Sequence, residues 1–435
     1  MKLVIIAGGK GTRLGFNDKP KPMVLVCDKP ILEYQIELAK RYGFSEIYIL
    51  LGYLPQIVME YFGNGEKFGV NINYIVEENP LGTAGAIKQL EGIVDERFMV
   101  FYGDTIMDID LEKMIEFDSC CDDNLGTILI HPNDHPHDSD LIEINDLNEV
   151  VAFHSKPHPQ NRYFKNLVNA SLYVFSNEIF KYIKSGENCD FGKDIFPMLI
   201  QQCKKIKGYH SAEYIKDMGT IERLREVTSD VQSGKIARLN KKYKRKAIFL
   251  DRDGVINAEG EIITTPEKLR LLDGVAEAIR KINKSEFLTI IITNQPLVAK
   301  GFCSFEALDN IHNKMEHLLG NDGAYIDKIY YCPHHPEKGF GGEVSELKID
   351  CDCRKPKIAM IEKAVEDFNI DIDNSYFIGD TTVDIQTAKN AGIKSILLET
   401  GYGGLDGKFD IKPDYKFEIL NDAIKFILEK NYDNK

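Results

Sequence analysis

Two carboxylates stand where an apolar run of the chain ends. Asp251 and Asp253 follow the run Ala-Ile-Phe-Leu at residues 247–250 and are two positions apart. A sharp turn after a buried strand can bring both side chains towards one phosphate, so that one attacks phosphorus while the other transfers protons. This piece alone is equally consistent with an acidic turn that merely ends a strand.

A glycine-rich turn follows the first apolar run of the chain. Gly8, Gly9 and Gly11 would let backbone amides approach a polyphosphate that a Cβ would obstruct. Arg13 and Lys21 supply positive charge nearby. The turn therefore indicates phosphate binding, although an ordinary strand-to-helix connection can have the same composition.

Two pairs of soft or borderline metal ligands occur later in the chain, Cys332 with His334 and Cys351 with Cys353. Sixteen residues separate the pairs, which is typical of a closed, four-coordinate zinc site. We therefore predict a structural Zn²⁺ here. Six of the nine cysteines are scattered, which fits reduced thiols better than a disulfide framework.

The elements that would position these groups alternate along the chain. Short β-branched runs are followed by amphipathic segments in both halves, as in parallel α/β sheets. The alternation stops in residues 229–246, where residues 235–246 include seven Lys or Arg. For 435 residues we predict two doubly wound, Rossmann-like domains, residues 1–228 and 247–435, joined by a solvated basic linker over residues 229–246.

Composition limits the possible partners. The chain has 68 acidic and 54 basic side chains, a net charge of −14 that disfavours nucleic-acid binding, and its 43% hydrophobic content excludes disorder as the main state. No apolar stretch approaches the ~18 residues needed to cross a bilayer, and the first apolar run is too short for a signal peptide. We therefore expect a cytoplasmic protein that binds neither nucleic acid nor membrane. The sequence does not predict its oligomeric state.

The glycine-rich turn is the first of several motifs in the N-terminal half. In chain order they are Gly-Gly-Lys-Gly-Thr-Arg-Leu at 8–14, Pro-Leu-Gly-Thr-Ala-Gly at 80–85, Tyr-Gly-Asp at 102–104, Lys-Pro at 156–157, Asn-Ala-Ser-Leu-Tyr-Val-Phe at 169–175 and Lys-Asp-Met-Gly-Thr at 216–220. Together they resemble the sugar-1-phosphate nucleotidyltransferase family.

This resemblance implies that a sugar phosphate oxygen attacks the α-phosphorus of a nucleoside triphosphate, a reaction between two anions that requires charge neutralisation. Asp104 and Asp217 would hold Mg²⁺. Arg13 and Lys21 would balance the triphosphate, and Lys156 would contact the sugar phosphate. The implied substrate-binding residues are Gly8, Gly9, Gly11, Thr12, Gly82, Thr83, Gly85, Lys156 and Asn169.

The base and the sugar are less sharply indicated. Leu-Gly-Thr-Ala-Gly at 81–85 most resembles guanylyltransferases that act on mannose or heptose 1-phosphate, so we expect GTP as the donor. The residue before Lys156 is Ser155, where the family usually has a Glu that bonds sugar hydroxyls. The identity of the sugar therefore stays open.

A second ordered set of motifs occupies the C-terminal half. It comprises Asp-Arg-Asp-Gly-Val-Ile-Asn at 251–257, Thr-Asn-Gln at 293–295, Arg-Lys-Pro at 354–356 and Phe-Ile-Gly-Asp-Thr-Thr-Val-Asp at 377–384. These resemble the haloacid dehalogenase superfamily of phosphatases, in the subgroup of heptose bisphosphate and histidinol phosphate phosphatases. Only sixteen residues separate Asn257 from Gly274, so we expect a Rossmann-like domain without a cap.

The second resemblance implies a covalent mechanism. Asp251 would form an aspartyl-phosphate, and Asp253 would protonate the leaving alcohol and then activate water. Mg²⁺ would be held by Asp251, the backbone carbonyl of Asp253 and Asp380, while Asp384 would orient Lys355 or the metal shell. The implied substrate contacts are Thr293 and Lys355 to the phosphoryl oxygens, Arg354 to a second anionic group, and Asn294.

The two resemblances together suggest one reaction sequence. A heptose 1,7-bisphosphate would lose its 7-phosphate at the C-terminal site, and the remaining 1-phosphate would receive GMP from GTP at the N-terminal site. Three alternatives remain: the same activities on another sugar or base, a histidinol phosphate phosphatase with an accessory domain, or one domain that serves only as a binding or assembly module.

Overall fold

The computed structural model describes residues 1–11, 18–120, 123–260 and 262–432, which form two compact units. The first unit contains Met1–His131, Ser139–Lys156 and Leu167–Asn240, and the second contains Pro132–Asp138, Pro157–Asn166 and the chain from Lys241 onward. Each unit has helices packed on a β-sheet, so the predicted α/β class is confirmed.

The first unit is built on a mixed sheet. Its strands are β1 Lys2–Ala7, β2 Leu25–Val26, β3 Lys29–Pro30, β4 Glu46–Leu51, β5 Asn71–Val76, β6 Phe98–Tyr102, β7 Thr105–Asp108, β8 Gly126–His131, β9 Leu141–Ile144, β10 Val150–His154, β11 Val168–Phe175, β12 Ile206–His210 and β13 Tyr214–Asp217. Nine of them form one sheet in the order β10-β9-β11-β6-β1-β4-β5, with β8 beside β11 and β12 beside β8. Strands β7 and β13 form a separate pair.

Strand direction divides this sheet. Strands β6, β1, β4 and β5 are parallel, as the alternating pattern predicts. Strand β11 is antiparallel to β6, and β9 is antiparallel to β10. The connection between β9 and β10 is short and permits only a hairpin, which explains the antiparallel pairing of these two strands.

Helices cover both faces of the first sheet. They are α1 Ile31–Arg41, α2 Pro55–Phe62, α3 Gly82–Lys88, α4 Leu111–Ser119, α5 Phe196–Gln201, α6 Ile221–Gln232 and α7 Lys235–Arg238. Side chains of β1 alternate between two apolar cores, with Leu3 and Ile5 in one and Val4 in the other. This burial on both faces explains the unbroken apolar run at the start of the chain.

The second unit contains a six-stranded, wholly parallel sheet in the order β16-β15-β14-β17-β18-β19. Its strands are β14 Lys246–Leu250, β15 Phe287–Asn294, β16 Lys328–Cys332, β17 Tyr376–Gly379, β18 Lys394–Leu398 and β19 Tyr415–Phe417. Its helices are α8 Val275–Lys284, α9 Phe305–Asn321, α10 Ala359–Phe368, α11 Thr382–Ala391 and α12 Leu420–Tyr432. Residues 247–250 of the central strand β14 are fully buried.

Two short segments that precede residue 228 in the chain pack within the second unit. In one, the backbone N–H of Asn166 donates to Glu316 Oε2 of α9 over 2.9 Å, and Lys314 Nζ donates to the hydroxyl of Tyr163 over 3.0 Å. This differs from the predicted continuous domain over residues 1–228. The contacts join residues about 150 positions apart, which local sequence patterns do not report.

Residues 229–246 are more ordered than the solvated linker that their charge predicts. Helix α6 ends at Gln232, helix α7 lies within the segment, and strand β14 begins at its last residue. Lys235 is buried 3.7 Å from the carboxylate of Asp230. The buried guanidinium of Arg245 donates through Nε to the carbonyl of Phe368 over 2.8 Å.

In the described part of the chain, no helix has the length and apolar character required to cross a membrane.

Candidate active sites

In the second unit, the predicted acidic residues meet at one edge of the parallel sheet. Asp251 follows β14, and Asp380 follows the neighbouring strand β17, so both lie where parallel strands end. Asp384 lies in the first turn of α11, where its carboxylate completes a capping box with Thr381. One carboxylate oxygen from each of the three aspartates lies within 4.8 Å of the others.

Lys355 neutralises part of this charge. Its Nζ lies 2.9 Å from Asp251 Oδ1 and 2.6 Å from Asp384 Oδ1, and all three side chains are buried. Burial opposes the charge of the ammonium group, but the two carboxylates raise the pKa of Lys355. The lysine is therefore a fixed cation beside Asp251, as the predicted contact to phosphoryl oxygens requires.

The cluster still holds three carboxylates against one ammonium. Burial, reinforced by the neighbouring carboxylates, raises the pKa of Asp251 to about 7 and that of Asp380 to about 8. Asp380 Oδ1 is buried and has no hydrogen-bond partner among the described residues. Hard carboxylate oxygens with an excess of negative charge fit a divalent cation such as Mg²⁺.

Asp253 lies outside this three-carboxylate cluster. Its carboxylate accepts hydrogen bonds from Arg252 Nη2 at 2.8 Å, from Asn257 Nδ2 at 2.9 Å and from Gln295 Nε2 at 2.7 Å. Burial opposes ionisation, but Arg252 and the two amides lower the pKa of Asp253. Arg252 and Gln295 have no role predicted from the sequence, although both belong to the motifs at 251–257 and 293–295.

Two predicted substrate contacts, Thr293 and Asn294, have hydrogen-bond partners within the protein. Asn294 uses both amide atoms to hold the backbone of Lys355: its Oδ1 accepts from Lys355 N over 3.0 Å, and its Nδ2 donates to Lys355 O over 3.2 Å. The buried hydroxyl of Thr293 accepts from Gln295 Nε2 over 3.0 Å. Asn294 thus positions Lys355, and Thr293 supports the side chain that holds Asp253.

The four predicted zinc ligands come together. Cys353 Sγ lies 3.2 Å from Cys332 Sγ, 3.3 Å from Cys351 Sγ and 3.2 Å from His334 Nδ1. The sulfur separations are well above the ~2.05 Å of a disulfide bond and leave space for one ion among soft ligands, so the donor set fits Zn²⁺. Arg354, next to the last ligand, donates through Nη1 to the carbonyl of His334 over 3.2 Å.

In the first unit, Asp104 and Asp217 lie side by side. Asp217 pairs with Thr105 across the β7–β13 ladder, and Met218 N donates to the carbonyl of Asp104 over 2.8 Å. The buried Lys21 contacts the carboxylate of Asp104. Gly8 and Gly9 follow β1 at the same edge of the sheet, whereas Thr12 and Arg13 lie outside the described residues.

The glycines at the start of α3 are explained by packing. A Cβ at Gly82 would lie 2.5 Å from the carbonyl oxygen of Cys189, and one at Gly85 would lie 2.5 Å from that of Glu187. Thr83 Oγ1 donates to Asp190 Oδ2 over 2.8 Å. The predicted substrate-binding residues 82, 83 and 85 therefore also fasten α3 to a neighbouring segment.

Glu77 is a further candidate, for which no role is predicted from the sequence; it directly follows β5 and precedes the motif at 80–85 by three residues. Its Oε2 lies so close to Gly8 that a Cβ there would be 2.9 Å away. Its Oε1 is buried and has no hydrogen-bond partner in the part of the chain that is described. Burial raises the pKa of this carboxyl.

The predicted sugar-phosphate contacts form a small group near Asp140. Lys156 N donates to Asp140 Oδ1 over 3.3 Å, and Asn169 N donates to the carbonyl of Asp140 over 3.1 Å. Asn169 Oδ1 also accepts from Ser171 N over 3.2 Å. The backbones of Lys156 and Asn169 therefore both contact Asp140.

Two family models match different parts of the chain. The family model described as nucleotidyl transferase matches residues 2–234, and the model described as HAD-hydrolase-like matches residues 352–423. A D-glycero-beta-D-manno-heptose-1,7-bisphosphate 7-phosphatase of Haemophilus ducreyi is 35% identical over 42% of this chain and 98% of its own length. The chain therefore belongs to the nucleotidyl transferase family in its N-terminal half and to the heptose bisphosphate phosphatase family in its C-terminal half.

Two further similarities were found. A UTP–glucose-1-phosphate uridylyltransferase of Synechocystis is 31% identical over 46% of this chain and 55% of its own length. The solved structure of D,D-heptose 1,7-bisphosphate phosphatase from B. bronchiseptica, complexed with magnesium and phosphate, is 29% identical over 42% of this chain and 99% of that chain, with a TM-score of 0.38.

Proposed function

We propose that the chain is a bifunctional enzyme that makes a nucleotide-activated heptose. Residues 247–435 would remove the 7-phosphate of D-glycero-D-manno-heptose 1,7-bisphosphate, and residues 1–228 would transfer GMP from GTP to the remaining 1-phosphate. The observation that carries the first step is the buried cluster of Asp251, Asp380, Asp384 and Lys355 in a region that spans nearly the whole length of a heptose bisphosphate phosphatase.

In the phosphatase step, Asp251 attacks the 7-phosphorus, and the bond to the heptose oxygen breaks as that oxygen takes a proton from the carboxyl group of Asp253. This leaves an aspartyl-phosphate, the free heptose 1-phosphate and a carboxylate at Asp253. Lys355 binds oxygens of the transferring group. Water then attacks the aspartyl-phosphate and releases inorganic phosphate. Asp253, held as a carboxylate by Arg252, Asn257 and Gln295, is in the form that accepts a proton from this water.

Two metals belong to the proposal for this unit. Asp251, Asp380 and Asp384 would hold Mg²⁺, which would supply further charge neutralisation at the transferring phosphoryl group. Cys332, His334, Cys351 and Cys353 would hold a structural Zn²⁺ that orders the preceding loop and fixes Arg354. Arg354 would then contact the second anionic group of the substrate.

In the transferase step, an oxygen of the sugar 1-phosphate attacks the α-phosphorus of GTP and pyrophosphate leaves. Lys21 offsets the charge of the triphosphate, and Lys156 binds the sugar phosphate. Asp104 and Asp217 would hold a second Mg²⁺, whose role when bound is to neutralise both reactants.

Glu77 supports guanine as the base. Its buried Oε1 lacks a hydrogen-bond partner among the described residues, at the sheet edge where the nucleotide would bind. Guanine carries the donors N1–H and the N2 amino group, either of which a carboxylate oxygen can accept. We therefore propose that Glu77 reads the base. We expect Glu77→Gln to lower the ratio of kcat/KM for GTP to that for UTP at least ~10-fold.

The deciding experiment supplies the purified chain with D-glycero-D-manno-heptose 1,7-bisphosphate, Mg²⁺ and each nucleoside triphosphate in turn. Phosphate release together with GDP-heptose and pyrophosphate is the expected result. Phosphate release without any nucleotide sugar would contradict the transferase assignment. Faster phosphate release from histidinol phosphate than from the bisphosphate would contradict the heptose assignment.

A further inference from the structure

Asp140 occupies a central place among the proposed sugar-phosphate contacts. It directly precedes β9, and β9 pairs with β10 so that Leu141 faces His154, which places Asp140 beside the Ser155–Lys156 turn. Leu141 also pairs with Val168 at the start of β11. The position of Asp140 is therefore fixed by the pairing of the next residue, Leu141, with strands β10 and β11.

This position lies at the same sheet edge as the proposed reaction site. Strand β11 is antiparallel to β6, with Leu172 opposite Phe101, so the first residues of β11 lie beyond the carboxyl end of β6. That end leads to Asp104, and the neighbouring parallel strand β1 leads to Gly8. A sugar phosphate bound near Asp104 would thus lie at the same sheet edge as Asp140.

The Asp140 side chain has one engaged oxygen and one that is available. Oδ1 accepts from Lys156 N over 3.3 Å, whereas Oδ2 makes no hydrogen bond to any described residue. Oδ2 lies against Gly192, where a Cβ would be 3.2 Å away. The absence of a side chain at Gly192 keeps this oxygen open, and Asp140 is only half-buried.

We infer that Asp140 accepts hydrogen bonds from hydroxyl groups of the sugar in the transferase reaction and so helps to determine which sugar is used. A carboxylate is a pure acceptor with lone pairs for two neighbouring hydroxyls, and such charge-assisted bonds are stronger than those between neutral groups. The neighbouring Ser155 carries no charge that could fill this role. This inference rests on the proposed transferase function.

The test compares the wild-type chain with Asp140→Asn. Asparagine keeps an amide oxygen for the Lys156 N–H but replaces the available acceptor with a donor. With GTP, Mg²⁺ and α-D-mannose 1-phosphate or the heptose 1-phosphate as probes, we expect KM for the sugar phosphate to rise ~10- to 100-fold. KM for GTP should stay within about twofold, because the base and triphosphate contacts are unchanged.

Two additional measurements distinguish a loss of sugar recognition from a general disturbance of the structure by the substitution. Asp146→Asn, an exposed change in the turn between β9 and β10, is the matched control and should leave both KM values unaltered. The second measurement uses a series of mannose 1-phosphates that each lack one hydroxyl. The wild type should use at least one of them poorly compared with mannose 1-phosphate. Asp140→Asn should use that same compound no worse than it uses mannose 1-phosphate.

Three outcomes would overturn the inference. One is an unchanged KM for the sugar phosphate in Asp140→Asn, and another is an equal rise in KM for GTP. The third is a wild-type chain that releases phosphate from the bisphosphate but makes no nucleotide sugar from any pair of substrates. That result would refute the proposed transferase function itself, whereas the first two would leave it standing.

Discussion

Lys355 is the residue on which the charge balance of the phosphatase site depends. It is the cation in contact with both Asp251 and Asp384, at 2.9 and 2.6 Å. Its backbone is fixed by the side chain of Asn294, and its motif stands directly after the candidate metal ligands. A change at this position therefore alters charge at the reacting group rather than the shape of the fold alone.

We expect Lys355→Met to lower the rate of phosphate release from the bisphosphate at least ~100-fold, because the transferring phosphoryl group would meet uncompensated carboxylates. Nucleotide sugar formation from heptose 1-phosphate should stay within about twofold of wild type. Lys357→Met, in an exposed ion pair with Asp350, is the control and should retain phosphatase activity. A Lys355→Met chain that keeps more than a tenth of the wild-type rate would contradict the role of Lys355.

His312 makes the stability of the second unit depend on pH. Burial, with a contribution from Arg252, lowers the pKa of His312 to about 3, and its Nε2 lies 3.3 Å from Arg252 Nη1. An unfolded histidine has a pKa near 6.5. Below that value the unfolded chain takes up a proton that the folded chain does not, so acid destabilises the fold, and the loss grows until the pH reaches the folded pKa.

Between pH 7 and pH 5 we expect this one group to reduce the free energy of unfolding by about 2 kcal/mol. His312→Gln keeps an uncharged acceptor for Arg252 and has no proton to gain. Urea titrations followed by circular dichroism should therefore show a smaller shift between the two pH values for the variant than for the wild type. Equal shifts would mean that His312 does not contribute to the acid sensitivity.

At the scale of elements, we expect the loop between the two candidate ligand pairs to depend on the proposed Zn²⁺. Residues 335–350 contain one short helical turn, Ser345–Leu347, and no strand, although the structure describes all of them. Such a segment has few backbone hydrogen bonds of its own to hold it. The four candidate metal ligands flank this segment at both ends, and the last of them is followed directly by Arg354 and Lys355.

We expect the purified chain to contain one zinc ion, measured by elemental mass spectrometry. Cys351→Ser should lose this zinc and lower phosphatase activity at least ~10-fold, since a lost ligand or metal frees Arg354 and Lys355. Transferase activity should persist because its candidate residues belong to the first unit. Cys303→Ser, which alters a free thiol outside the ligand set, is the control. Full phosphatase activity in a zinc-free Cys351→Ser chain would refute the structural role.

The sequence predicted those elements whose signals are local. The apolar runs that end at Ala7 and Leu250 are strands of parallel sheets, and the motifs after them lie at carboxyl ends of strands, as predicted. The antiparallel pairing of β11 with β6 was not predicted, because it joins residues more than 70 positions apart. The direction of a side chain cannot be predicted from the sequence, which gives no sign that Asn294 holds the backbone of Lys355.

At the scale of the whole molecule, two candidate sites lie in two units that each have their own apolar core. A unit with its own core can keep its function when the chemistry of the other is removed. Asp251→Asn should therefore abolish phosphate release but still convert heptose 1-phosphate to a nucleotide sugar. Asp104→Asn should release phosphate and accumulate heptose 1-phosphate. An activity that survives its own substitution would indicate that the unit serves only as a binding module.

Mixing the two variants tests whether the activities form a sequence. The intermediate is a small, highly charged sugar phosphate that leaves when the aspartyl-phosphate forms, and no covalent bond joins it to the protein. It can therefore diffuse from an Asp104→Asn chain to an Asp251→Asn chain. An equimolar mixture supplied with the bisphosphate, GTP and Mg²⁺ should make GDP-heptose after a lag during which the 1-phosphate accumulates, and chromatography of timed samples would follow both. If both variants keep their single activities but the mixture makes no GDP-heptose, the product of the phosphatase is not the substrate of the transferase, and the proposed order of reactions is wrong.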